Sequence, residues 1–327
     1  GKNQFSLADR LGTANYSIIN QQRRGVMALS EMGDSLSEAS AGKFSAEASL
    51  SPEARAKPLS VKEMAVIAKR LRRHIITMTG RAGSGHPGGS LSAVEIVTAL
   101  YFKVLRHNPQ DPCWSDRDRF ILSKGHAAPV LYATLAECGY FPVSELTTLR
   151  QLDSHLQGHT DRVTCPGVEM SAGALGQGLS FAIGVALAGR LNSQDYRVYV
   201  LLGDGECDEG QIWESAMAAA HFKLDNLVAI VDNNGQQIDG WNRDVMNLEP
   251  FSAKWQAFGW HVIEVDGHDF TQLITAFNQT KQVKGRPSVV IAHTIKGKGV
   301  SFMENNPDFH GKAPNAEEVE IALKELE

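Results

Sequence analysis

The chain has no run of about 18 consecutive apolar residues, so no segment reads as a membrane-spanning helix. Its opening, Gly1-Lys2-Asn3-Gln4, carries no apolar core of the kind a secretion signal needs. Cysteine is scarce. Cys113, Cys138, Cys165 and Cys207 stand 25, 27 and 42 residues apart, without a Cys-x-x-Cys pair. That argues against a zinc knuckle and for a reducing, cytoplasmic setting. All four read as idle thiols; Cys207 differs only in following a Gly-Asp-Gly turn, and no suitably spaced base activates it. Basic charge is not in excess: 32 basic and 37 acidic side chains leave a net charge of -5. With no basic, aromatic-rich block either, nucleic acid is not an expected partner. No Gly-x-Gly-x-x-Gly follows the first strong strand, and Gly-x-x-x-x-Gly-Lys-[Ser/Thr] occurs nowhere. The chain therefore lacks both the standard dinucleotide loop and the P-loop.

What is present is a core-forming composition, with 43% hydrophobic residues over 327 positions. Residues 1–59 read as a partly helical or irregular extension, dominated by Ser, Ala, Glu and Gly from Ser30 to Ser51. Residues 60–327 read as one domain. Ser60 and Glu63 have capping-box spacing, and Met64, Ile67, Ala68, Leu71, Ile75 and Met78 recur at helical period. A second helix is expected near Ser90, and another over residues 125–138. Apolar runs at 119–123, 199–202, 227–231, 262–265 and 288–292 read as buried strands, with helices at 211–220 and 271–280 between them. This alternation predicts an α/β fold with a mostly parallel sheet flanked by helices. Residues 173–191 hold five glycines, which weaken a helix unless something approaches the backbone closely. A short acidic helix should follow Pro314-Asn315.

Two strand ends carry the chemistry. Gly203-Asp204-Gly205-Glu206 follows one strand, and Asp232-Asn233-Asn234-Gly235-Gln236 follows the next. Together they bring a carboxylate and a side-chain amide to neighbouring tips, where open α/β sheets bind ligands. A magnesium-type ion takes hard oxygen donors, commonly one or two carboxylates plus phosphate. Asp204, the amide oxygen of Asn234 and the backbone carbonyl of Gln236 suit it. Taken singly, each segment is an ordinary turn; taken together they favour a metal–diphosphate site. Ile295-Lys296-Gly297-Lys298-Gly299 reads either as a lid over anions or as a plain surface turn.

Glycine precedes His86, His126, His159 and His268, and follows His310. The steps of 40, 33 and 151 residues between His86, His126, His159 and His310 exclude a local zinc motif but permit convergence from separate loops. Such imidazoles can move protons or bind a hydroxylated substrate. His268 reads as a structural strand-end residue.

These segments resemble the thiamine-diphosphate half of the transketolases, over most of residues 60–315. The resemblance rests on Gly85-His86-Pro87-Gly88, Asp118 to Ala127, Gly158-His159, Leu175-Gly176-Gln177-Gly178, Gly203-Asp204-Gly205, Asp232-Asn233-Asn234, Ile238-Asp239-Gly240, Phe302 to Asn305 and His310 to Pro314. It implies thiamine diphosphate held through Mg2+, with Ca2+ or Mn2+ as substitutes, by Asp204, Asn234 and Gln236. It further implies Gly203, Gly205 and Glu206 at the diphosphate, and Gly173, Ala174 and Leu175 near the cofactor. His126 and His310 would touch cofactor, and His86, His126, His159 and His310 would serve substrate and proton transfer. Glu209 matches a glutamate that communicates with the opposing active site. Ala174, Thr160-Asp161 and Gly235-Gln236 depart from the usual Pro, Pro-Glu and Lys-Ile, without removing a required polar group.

The implied activity is two-carbon ketol transfer from a ketose, with a sugar phosphate as the expected donor, to an aldose, within pentose-phosphate chemistry. Full transketolases continue into a pyrimidine-binding domain that does not follow Glu327. The chain is therefore expected to act as the N-terminal subunit of a split transketolase, in a heterotetramer with a C-terminal subunit that supplies that domain; an excised domain is the alternative. Competing readings are a subunit of a deoxyxylulose-phosphate-synthase-like or 2-oxoacid-dehydrogenase-like enzyme, and a non-catalytic regulatory subunit that keeps the fold.

Overall fold

The computed structural model describes residues 59–327. All but the last residue of the expected extension, 1–59, lies outside them. Helix α1 (Val61–Ala82) opens with the anticipated capping box: Glu63 N–H donates to Ser60 Oγ, and Ser60 N–H donates to the Glu63 carboxylate. Met64, Ile67, Ala68, Leu71, Ile75 and Met78 are all buried, so the helical period marks the core face. Gly83, in the left-handed region, ends the helix.

Helix α2 (Pro87–Ser92) starts before the expected Ser90, because Pro87 takes the first helical position, where a missing N–H costs little. After α3 (Val94–Ala99) come β1 (Arg119–Leu122), α4 (Ala128–Cys138), α5 (Gln177–Leu191), β2 (Val198–Gly203) and α6 (Gly210–His221). Next are β3 (Leu227–Asn233), a small hairpin of β4 (Gln236–Gln237) and β5 (Gly240–Trp241), and the short helices α7 (Asn242–Val245) and α8 (Phe251–Ala257). The chain continues through β6 (His261–Asp266), α9 (Phe270–Gln282), β7 (Ser288–His293) and α10 (Ala316–Glu325). The short hairpin and α7 and α8 were not legible in the pattern.

Five strands form one parallel sheet in the order β1-β2-β3-β7-β6. Alternate residues feed two cores. Tyr199 and Leu201 join Leu71 and Ile75 of α1 on one face. Val198, Val200 and Leu202 join Leu179 of α5, Ile212 of α6 and Trp255 of α8 on the other. Both faces are covered, which is why β2 is buried throughout. This is the helix-flanked α/β architecture expected. No described helix is long and apolar enough to cross a membrane. Register sets Gly203 opposite Asp232, and Asp232 opposite Ala292, so the C-terminal ends of β2, β3 and β7 stand side by side.

The glycines around α5 divide by what they face. Residues 173–176 are loop, and Gly176 takes φ +82° at the helix entry. A Cβ on Gly178 would overlap the Ser123 side chain and come within 2.8 Å of Ser123 Cα; one on Gly189 would meet the Tyr196 ring at 2.8 Å. A Cβ on Gly184 would meet nothing. Gly184→Ala should therefore stabilise the chain by about 0.5–1 kcal/mol, whereas Gly178→Ala should destabilise it by about 1–3 kcal/mol through overpacking. Denaturant midpoints of the two variants test this; equal shifts in one direction would refute it.

Candidate functional site

Asp204 follows β2 directly and is 1% exposed. Its Oδ1 accepts from Gly205 N at 2.9 Å and its Oδ2 from Gly235 N at 2.5 Å. Burial, then the nearby charge of Asp232, push its carboxyl up to about 7. Beyond β3, Asn234 Oδ1 accepts from Gln236 N at 3.1 Å. Gly235 between them has φ +75° and faces the Trp241 ring, so a side chain there would be strained and crowded. Gln236 donates through Nε2 to Asn305 O at 2.9 Å, while its Oε1 is buried without a partner. Asp204, Asn234 and Gln236 line one cleft of about 80 Å3, together with Gly203, Gly205, Glu206, Leu175, His126 and His310.

The other tip carboxylate, Asp232, is closed off. It is fully buried, pairs with Lys124, and accepts from Ser92 Oγ at 2.6 Å and from Thr294 Oγ1. Burial works to raise its carboxyl, but Lys124 and the hydroxyl donors outweigh it and hold the group below its ordinary value. Glu206 is likewise engaged by protein: it accepts from Ser123 Oγ, from Gly176 N at 2.9 Å and from Gly203 N at 2.9 Å. It ties the ends of β1 and β2 to the loop before α5. Asp204 is thus the tip carboxylate whose protein partners are backbone N–H groups alone.

Four of the expected histidines converge. The His86 ring lies 5.4 Å from His126, 6.0 Å from His159 and 5.6 Å from His310, and His126 stacks on His310 at 5.1 Å. All four are held toward the neutral form. Burial, then Arg150, lower His86 to about 4. Burial, then Lys296, lower His310 to about 3. Burial and Lys124 take His126 well down, and burial and Arg150 lower His159. Lys296 Nζ lies 2.9 Å from His310 Nδ1. The ammonium can only donate, so Nδ1 accepts and the His310 proton sits on Nε2. His86 Nδ1 is buried without a partner.

The remaining expected residues lie at the margin. Leu175 reaches the cleft, but Gly173 and Ala174 are exposed in the loop before α5. Glu209 is exposed at the start of α6, its side chain against Gly176 rather than in the cleft. His268 stands outside the cluster, hydrogen-bonded to Glu95 and to Ile295 N. Cys207 is buried, and burial, then Glu206, push its thiol well up, which suits an idle role.

Two lysines acquire a place at the site only through the fold. Lys124 is 1% exposed and Lys296 2%. The Lys296 segment is a turn at 296–299 in which Lys296 and Gly297 are buried, Ile295, Lys298 and Gly299 are half-buried, and Lys296 reaches the cleft. Burial, then Lys124, lower Lys296 to about 8. The available signal was position, since each lysine comes just after a strand of the parallel sheet. A larger cavity of about 270 Å3 lies between Trp241 and Phe251, but none of the four clustered histidines lines it.

Residues 63–326 match the model for the transketolase thiamine diphosphate-binding domain. The chain belongs to the transketolase family. It is 45% identical over 260 residues to a 6-deoxy-6-sulfo-D-fructose transketolase subunit of Clostridium sp. (strain MSTE9), covering 80% of this chain and 94% of that one. It is also 45% identical over 269 residues to an apulose-4-phosphate transketolase subunit of Actinobacillus succinogenes, covering 82% and 97%. The transketolase structure from Campylobacter jejuni superposes with a TM-score of 0.78 at 32% identity, over 82% of this chain and 43% of that one. The match thus spans nearly all of the subunit relatives but under half of that longer transketolase.

A hard-oxygen site fits this transketolase cleft. Among the described residues, no group of three His, Cys, Asp or Glu side chains could hold a metal. One buried carboxylate beside an amide and a backbone carbonyl is instead the mixed set that a magnesium-type ion accepts. Removing the cation that neutralises Asp232 should be costly. Lys124→Met is expected to lose about 3–5 kcal/mol, because Asp232 is left buried and uncompensated. Lys124→Met with Asp232→Leu should recover most of that. Urea unfolding measures both, and a single variant as stable as wild type would sink the argument.

Proposed function

We propose that this chain is the diphosphate-binding subunit of a two-chain transketolase that transfers a two-carbon ketol unit from a ketose phosphate to an aldose. The observation that carries the reading is the convergence, in one cleft, of the Asp204–Asn234–Gln236 tips with His126, His310 and Lys296, with His86 beside those two rings and His159 beside His86. Asp204, the Asn234 amide oxygen and the Gln236 carbonyl would hold Mg2+, with Ca2+ or Mn2+ as substitutes. Gly203 and Gly205 would let a diphosphate approach the main chain, beside Glu206. Gly173, Ala174 and Leu175 would flank the cofactor, with Leu175 already in the cleft wall. When bound, thiamine diphosphate supplies the electron sink for cleaving the bond beside a ketose carbonyl.

The chain's own groups bind, orient and move protons. His310 presents Nε2–H because Lys296 occupies Nδ1, and His126 stacks against it. As neutral imidazoles, His86, His126 and His159 can accept or donate at sugar hydroxyls. Glu209, exposed at the head of α6, is available to a neighbouring subunit, in keeping with a role between opposing sites. A separate C-terminal subunit would supply the pyrimidine-binding domain, in a heterotetramer of two copies of each chain. Residues 1–59 would form an extension to the domain over 60–327. The setting would be the cytoplasm and the substrates those of pentose-phosphate chemistry. Relatives named for apulose-4-phosphate and 6-deoxy-6-sulfo-D-fructose support a ketose donor.

The deciding experiment combines the chain with its partner subunit, Mg2+ and thiamine diphosphate, and follows transfer between several ketoses and aldoses. Turnover of pyruvate without ketol transfer would overturn the reading. Asp204→Ala should weaken Mg2+-dependent cofactor binding at least about tenfold, measured by calorimetry on the assembled complex. His126→Ala should lower kcat/KM roughly tenfold and weaken cofactor binding by less than that. Normal turnover in that variant would remove His126 from the mechanism.

A further inference from the structure

Lys296, 2% exposed, carries a charge to the cleft on a long side chain, so its aim depends on how its backbone is held. Three residues remote from the cleft hold it. Arg72 of α1 makes a bidentate pair with Glu95 of α3, Nη1 to Oε1 at 2.6 Å and Nη2 to Oε2 at 2.8 Å. The same guanidinium donates through Nε to Lys298 O at 2.9 Å. Glu95 Oε2 also lies 2.9 Å from His268 Nδ1, and His268 Nε2 accepts from Ile295 N at 2.9 Å. Because Ile295 N–H is a donor, Nε2 carries no proton, and Nδ1–H donates to Glu95. Burial alone would raise the Glu95 carboxyl, but the His268 hydrogen bond and Arg72 hold it down to about 2, so it stays ionised.

The network thus grips the chain immediately before Lys296 and again two residues after it. Gly297 N donates to Gly88 O at 3.0 Å, and Asn305 N donates to Lys296 O at 2.9 Å. Gly297 and Gly299 take φ +80° and +94°, and a Cβ on Gly299 would meet Arg72 Cδ at 2.9 Å. Gly299 therefore lets the segment wrap against the Arg72 side chain, and Gly297 against Met303. A buried ion pair contributes little net stability compared with apolar packing of the same shape. What this one supplies is direction, through donors and acceptors with fixed geometry.

We propose that Arg72, Glu95 and His268 are positioning residues that hold Lys296, and through it the Nε2–H form of His310, in register with the cleft. The proposal rests on the reading of that cleft as a diphosphate site. Its test separates the two, and His268 variants lead because loss of Glu95 or Arg72 risks the fold. The full chain is first studied without ligand by amide exchange and mass spectrometry. His268→Ala should speed exchange at Ile295–Gly297 while β2 and β3 stay protected, and His268→Gln, which keeps an acceptor near Nε2, should restore it. Unchanged exchange at Ile295, or acceleration spread through the sheet, overturns the brace.

Calorimetry with inorganic diphosphate and excess Mg2+ then reads its consequence. His268→Ala should weaken binding about tenfold, with substantial recovery in His268→Gln. On a Lys296→Met background, His268→Ala should add nothing, as a double-mutant cycle requires when one residue acts through the other. Full additivity, or wild-type affinity in His268→Ala, refutes the positioning role. Wild-type affinity in Lys296→Met likewise refutes it, whereas no Mg2+-dependent binding of diphosphate by the unsubstituted chain refutes the diphosphate reading of the cleft, and the exchange result alone then judges the brace.

Discussion

The parallel pairing of β2 with β3 is the constraint on which the rest depends. By setting Gly203 opposite Asp232, it delivers two acidic loops to the same edge of the sheet. Lys124, arriving from the end of β1, neutralises Asp232 and leaves Asp204 to face the cleft. Two carboxylates so close do not share one environment. Asp232 is held ionised by a lysine and hydroxyls, whereas Asp204 is pushed toward its neutral form by burial and by Asp232 itself. A divalent cation at the tips would relieve that penalty, which is the electrostatic case for the proposed metal.

The basic side of the cleft has the complementary imbalance. Burial, then Lys124 and Lys296, lower the neighbouring imidazoles, and burial, then Lys124, lower Lys296, so the surroundings there discourage further positive charge. An anion would relieve it. A metal–diphosphate pair therefore suits both sides at once, while the neutral histidines remain able to hydrogen-bond a polyol in either direction. Rigidity behind the cleft matters as much as composition, because hydrogen bonds to sugar and phosphate tolerate little displacement. The Arg72–Glu95–His268 arrangement extends that order from the site to the helices.

Much of the fold was legible because its signals are short-range. The Ser60–Glu63 box, the apolar period of α1 and the continuous apolar strands each lie within one element. So do the Gly-Asp-Gly and Asp-Asn-Asn turns, which is why Asp204, Asn234 and Gln236 could be picked out as neighbours. The start of α5 was less legible, since alanine and glycine in 173–176 fit loop and helix alike until Gly176 is seen in the left-handed region. The segment around Lys296 was legible as a turn but not in its burial: its glycines permit close wrapping against Arg72 and Met303, which takes Lys296 out of solvent.

The sequence by itself determined the alternation of strands and helices, the two polar strand tips and the histidines flanked by glycine. Only the tertiary structure decided which charges meet. Lys124 and Asp232 are 108 residues apart along the chain, and Arg72 and Lys298 226 apart. The rings of His126, His159 and His310, from separate segments, come to within 6.0 Å of the His86 ring. Local pattern reports burial and period, but proton affinity depends on the desolvation and charges around a group, and those exist only once distant segments are packed together.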